Sequence, residues 1–124
     1  MEEGSTIAFF DGATRSDRLS CGVGGVIKTS ENLVYRWYLN VGAGSNTKAE
    51  LLGIWATLTL ANHLNIQRLQ ALGDSRVIIE WLNGKAKLDV CYSEGWKKHT
   101  KDLFKNFESL SFHHIYREFN RKVD

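Results

Sequence analysis

The sequence predicts an α/β domain built on a five-stranded mixed sheet, in the order β-β-β-α-β-α-α-β, with helices packed on the faces of the sheet. Three observations carry that prediction. Strand-like segments joined by short turns fill the N-terminal part of the chain. From Thr47 to Leu64 the hydrophobic spacing becomes that of a helix face. Beyond it, strand-like and helix-like segments continue to the C-terminus.

Residues 5–11, with the apolar run "IAFF", read as the first strand. "CGVGGVIKT" and "LVYRWYLNV" follow as the second and third, the latter rich in aromatic and β-branched residues. Short connections between them suggest an antiparallel meander. In the helix that follows, Leu51, Ile54, Trp55, Leu58 and Ala61 share one face. Leu52, Ala56 and Leu60 widen that face, which predicts deep burial. "IQRLQALGD" reads as a fourth strand ending near Asp74, and "SRVIIEWLNG" as a short helix stopped by Gly84. A third helix is expected from Glu94 to Glu108, and "LSFHHIYREF" as the fifth strand.

The chain has 124 residues, 43% of them hydrophobic, enough for one domain (1–124) with a full core. It contains no proline, where average usage gives about six, and no linker-like, repetitive or low-complexity segment. No apolar run approaches the roughly 20 residues of a membrane helix. The start, "MEEGST", is acidic where a secretory signal is basic and then apolar. The expectation is a soluble intracellular protein of the nucleus or cytoplasm, neither secreted nor bound to a membrane. Cys21 and Cys91 form no CxxC pair and read as reduced thiols. A net charge of +2 does not mark a nucleic-acid binder, but its distribution is uneven. "WKKHTKDLFK" packs four lysines around two aromatic residues, which fits either a phosphate footprint or a solvated helix face.

Two carboxylates stand at strand ends, Asp11 in "DGA" and Asp74 in "DSR". An Asp-Gly after a strand is often only a turn. If the first and fourth strands are neighbours, however, both acids meet at one edge of the sheet, where ligand sites of α/β folds collect. Glu50 opens the long helix in "NTKAELLG". Thr47 and Glu50 fit a capping box, but Glu50 lies one turn before Ile54, at the margin of the apolar face. Three gathered carboxylates repel one another, and a hard divalent cation removes the conflict. Oxygen-only ligands suit Mg²⁺ or Mn²⁺ rather than zinc. Carboxylate-held ion pairs of this kind commonly serve phosphoryl transfer.

These segments in this order resemble type 1 ribonuclease H: the Asp-Gly after the first strand, "GVGGVI", "NTKAELLG", "LGDS" and the tail "REFNRKVD". The likeness runs from about Ile7 to Asp124 and is greatest to the ribonuclease H domains of plant reverse-transcriptase-like proteins and non-LTR retrotransposons. It implies a ribonuclease H-like fold and hydrolysis of the RNA strand of an RNA/DNA hybrid with two Mg²⁺ ions, leaving 5′-phosphate and 3′-hydroxyl ends. Carried over by position, Asp11, Glu50, Asp74 and Asp124 are the metal ligands and catalytic acids. Gly12, Ser45, Asn46, Arg76 and Arg117 stand where substrate contacts are expected. Gly24 and Gly25 would let the hybrid approach the second strand closely. Duplex RNA is read by groove shape and 2′-hydroxyls, so low sequence specificity is expected. Phosphate contacts from Lys97, Lys98 and Lys101 would make binding fall with salt.

Two features depart from the family pattern. Many members carry a histidine in the loop before the last aspartate; here the loop is "YREFNRKV", and His113 and His114 fall in the predicted last strand, so neither takes that role. Arg117 is the candidate polar substitute. The family also continues past its last aspartate with another helix, whereas this sequence stops at Asp124, as a domain trimmed before that helix would. The expected state is a monomer as an isolated domain, and a unit of a larger polyprotein. Two alternatives remain open: a non-catalytic module that binds RNA/DNA hybrids, and another nuclease of the same superfold. Of the tryptophans, Trp55 reads as core, Trp37 as half-buried, and Trp81 or Trp96 as either helix packing or a stacking platform. Asp17, Glu80 and Asp89 read as solvent-facing.

Overall fold

The computed structural model describes residues 6–14, 21–29, 32–42, 46–88 and 94–115. The strands are β1 (Thr6–Thr14), β2 (Cys21–Lys28), β3 (Val34–Gly42), β4 (Arg68–Gly73) and β5 (Ser109–His114). The helices are α1 (Asn46–His63), α2 (Arg76–Leu82) and α3 (Glu94–Asp102), the last running into a 3₁₀ turn at Leu103–Asn106. The predicted order is therefore observed. The third helix is shorter than expected, because its final turn tightens and Phe107 is already extended. The last strand also ends earlier, at His114.

The five strands lie in the order β3-β2-β1-β4-β5. β1 pairs antiparallel with β2, which pairs antiparallel with β3, giving the expected meander. β1 pairs parallel with β4, and β4 parallel with β5. The sheet is thus mixed, and the C-terminal ends of β1 and β4 leave it at the same edge. Their ladder closes with Phe10 opposite Gly73, so Asp11 and Asp74 each lie one residue past it. Asp11 does not end β1 as expected, because it stays paired with Gly24 and the strand runs on to Thr14.

The core lies between the sheet and α1. Ala8, Phe10, Ile27 and Ala71 on the sheet meet Leu51, Ile54, Leu58 and Ala61 on the helix, all completely buried. Alternation along the strands selects the sheet residues, and the helical period selects the others. Thr57 is also fully buried; its hydroxyl donates to the Gly53 carbonyl at 2.9 Å, which removes the cost of an unmet polar group. α1 comes so close to β2 that a methyl group added at Gly53 would stand 2.5 Å from Val23 Cγ2.

Two helices end in the same way. Gly84 has φ 74°, with its N–H donating to the Trp81 carbonyl and that of Lys85 to Glu80. Asn65 has φ 60°, and the following Ile66 N–H reaches back to Ala61. Both are left-handed stops that satisfy the last helical carbonyls. Glycine announces the first in the sequence; asparagine, the other residue that tolerates this conformation, conceals the second.

Candidate active site

Asp11, Glu50 and Asp74 come together: each offers a carboxylate oxygen, and these oxygens lie within 4.8 Å of one another. Three different elements deliver them. Asp11 is on β1 beside Gly24 of β2, its register partner. Asp74 follows β4 and precedes Ser75, the N-cap of α2, whose hydroxyl accepts from the Ile78 N–H at 3.4 Å. Glu50 comes from α1 and is buried, 5% exposed, whereas the two aspartates are half-buried.

The capping-box reading of Glu50 does not hold. α1 begins at Asn46, so Thr47 lies inside the helix and cannot act as its cap. Glu50 instead points among buried neighbours toward the two aspartates. A buried carboxylate with two more close by is stabilised by a cation beside it or by taking up a proton. The donor set fits a hard divalent cation: three carboxylates, with no thiolate or imidazole among the clustered ligands.

The other predicted residues are placed less fully. Ser45, Arg117 and Asp124 lie outside the described residues. Asn46 is the first residue of α1, one turn before Glu50. Gly12 pairs with Val23 across the β1–β2 ladder. Arg76 begins α2 and is exposed, two residues after Asp74. Gly25 has an intramolecular reason to be glycine, since a methyl group there would lie 2.4 Å from the Trp37 indole. Gly73, the residue before Asp74, is similarly covered: a methyl group would meet the Phe10 ring at 2.7 Å.

The basic segment resolves into distinct roles. A groove of ≈ 450 Å³ is lined by Trp81, Lys87, Leu88, Lys98 and Lys101 among others. Lys97 also lines it, but its ammonium is engaged, donating to the Leu88 carbonyl at 2.6 Å and to Glu94 at 3.1 Å. That finding corrects the grouping of Lys97 with Lys98 and Lys101, which are exposed. Lys101 Nζ stands 5.1 Å from the centre of the Trp81 ring. Trp81 itself is buried, and Trp96 meets Trp55 edge-on at 4.9 Å, so helix packing is the observed use of both. Trp55 is half-buried rather than fully in the core.

His114 belongs to the site's surroundings although its sequence position suggests no such role. Its Nε2 lies 3.2 Å from the Asp74 backbone carbonyl. The parallel β4–β5 register, with Gly73 opposite His114, brings it there. His113 points away and is exposed, within 3.0 Å of the Ser111 hydroxyl.

Solved structures with the same architecture include RNase H1 of the halophilic archaeon Halobacterium salinarum, at TM-score 0.86 and 24% identity, covering 98% of this chain and 92% of the other. The N-terminal RNase H domain of a Mycobacterium tuberculosis protein, fused to maltose-binding protein, matches at 0.87 and 23%, covering 97% and 88%. LC11-RNase H1 in complex with RNA/DNA hybrid matches at 0.84 and 20%, covering 97% and 91%. No curated protein matches the chain. These likenesses define a ribonuclease H-like fold. Residues 9–124 match the model of the reverse transcriptase-like family, and the chain belongs to that family.

Proposed function

We propose that the protein is a metal-dependent endoribonuclease that hydrolyses the RNA strand of RNA/DNA hybrids, leaving 5′-phosphate and 3′-hydroxyl ends. The observation that carries this reading is the convergence of Asp11, Glu50 and Asp74 at one sheet edge of a ribonuclease H-like fold. The similar LC11-RNase H1 is known in complex with an RNA/DNA hybrid, which supports the substrate class. Asp11, Glu50 and Asp74, with Asp124 as fourth acid, would hold two Mg²⁺ ions, for which Mn²⁺ can substitute. Bound there, such a pair supplies electrostatic stabilisation to the attacking and leaving oxygens of an in-line displacement.

The remaining residues bind and orient. Gly12 and Gly24 would let a sugar-phosphate backbone come close to the strands beside Asp11, whereas the space at Gly25 is taken by the Trp37 indole. Ser45, Asn46, Arg76 and Arg117 offer polar contacts around the acids. Exposed Lys98 and Lys101 bind phosphates electrostatically, without reading base sequence. We read residues 1–124 as a single domain.

The decisive experiment is cleavage of an end-labelled RNA/DNA hybrid with Mg²⁺, beside an EDTA control and Asp74→Asn. Cutting of the RNA strand alone, lost in both controls, is the expected result. Retained binding with no cutting by the unaltered chain would instead identify a hybrid-binding module.

A further inference from the structure

Asp74 lies between the last residue of β4 and the N-cap of α2, outside both regular elements. A ligand in such a junction needs other contacts to hold its backbone. β5 supplies them. The Ile115 N–H donates to the Gly73 carbonyl at 2.9 Å, and His114 Nε2 meets the Asp74 carbonyl at 3.2 Å. β5 is itself braced from α2, where Asn83 Nδ2 donates to the Phe112 carbonyl at 3.1 Å. A carbonyl only accepts, so His114 Nε2 carries a proton in this contact.

We propose that His114 is a positioning residue for the metal site: its imidazole fixes the backbone of Asp74 and, through it, the direction of the Asp74 carboxylate. This inference rests on the metal-dependent reading above. Its chemistry is that of outer partners of metal ligands, which act by orienting the ligand rather than by touching the ion. His114 sits on a strand, in register with Gly73, so the contact is set by the sheet rather than by a loop. Gly73 contributes next to β1, because its missing side chain leaves room for the Phe10 ring at the β1–β4 junction.

The test compares the unaltered chain with His114→Phe, which cannot donate, and His114→Gln, whose amide nitrogen reaches a similar point. Mn²⁺ binding measured by calorimetry is the primary readout, independent of hybrid cleavage. The expected result is a Kd about ten-fold higher for His114→Phe, with recovery in His114→Gln. In the cleavage assay the same pair should split as lower kcat at unchanged KM for hybrid, restored by glutamine. Unchanged Mn²⁺ affinity in a folded His114→Phe protein would overturn the proposal. If that variant does not fold, ¹⁵N NMR of histidine in the unaltered chain decides. An Nε2–H tautomer at His114 supports the contact, and a neutral Nδ1–H tautomer overturns it. Cleavage by the unaltered chain separately tests the proposed function, so the two failures are distinguishable.

Discussion

Glu50 is 5% exposed, and carboxylate oxygens from Asp11 and Asp74 stand within 4.8 Å of its own. Three carboxylates that close repel one another when ionised, a cost that a divalent cation bound among them would offset. The sign of a substitution therefore depends on metal. In EDTA, Asp11→Asn should raise stability by about 1 kcal/mol, a fraction of the unscreened Coulomb value. In Mg²⁺ the same variant should lose the stabilisation that ligand binding gives the native state. Thermal melts of both proteins in both buffers check this; a variant less stable in EDTA would contradict it. For activity, Glu50→Gln and Asp74→Asn should each lower kcat by at least about a hundred-fold. That matches several kcal/mol of lost transition-state stabilisation. Single-turnover cleavage of a labelled hybrid measures it.

Among the elements, α1 carries most of the core and one ligand of the site, so its seat on β2 matters to both. Alanine is favoured over glycine in a helix by about 1 kcal/mol. At Gly53 that gain meets a contact of 2.5 Å with Val23 Cγ2. Overpacking of this kind costs about 1–3 kcal/mol, so Gly53→Ala should destabilise the fold on balance. Shortening the neighbour in a Gly53→Ala, Val23→Ala double variant should be less destabilising than the two single changes added together. Urea unfolding of the four proteins gives the coupling. At Leu58, fully buried on the same helix, truncation to alanine should cost about 2–5 kcal/mol by the same measurement.

For the whole molecule, charge is nearly balanced at +2, so affinity for a polyanion must come from where the cations stand. Lys98 and Lys101 are exposed on α3, while Lys97 is spent on Leu88 and Glu94. Removing Lys98 or Lys101 should weaken hybrid binding and reduce the log–log salt slope by about one each. Lys97→Ala should leave the slope nearly unchanged and lower stability instead. Fluorescence titrations across a salt series separate these outcomes. Equal slope changes for all three lysines would restore the grouping that sequence alone suggests.

Much of this was legible in the chain before folding. The apolar run "IAFF" and the helical spacing from Leu51 to Ala61 identify elements because burial selects on local pattern. Asp74 was legible as a strand-end acid for the same local reason, whereas Asp11 lies inside β1, which runs on to Thr14 in pairing with β2. Glu50 was ambiguous, since a capping box and a ligand look alike until the start of the helix is known. His114, the engagement of Lys97 and the glycine requirement at Gly25 have no local signature. Each depends on a residue brought close from another element: Asp74 across the β4–β5 register, Leu88 from the segment before α3, and Trp37 from the neighbouring strand. The sequence by itself determined which segments become strands and helices, because that follows from local pattern. Only the tertiary structure decided which side chains meet, because strand order and register set distances between residues far apart in the chain.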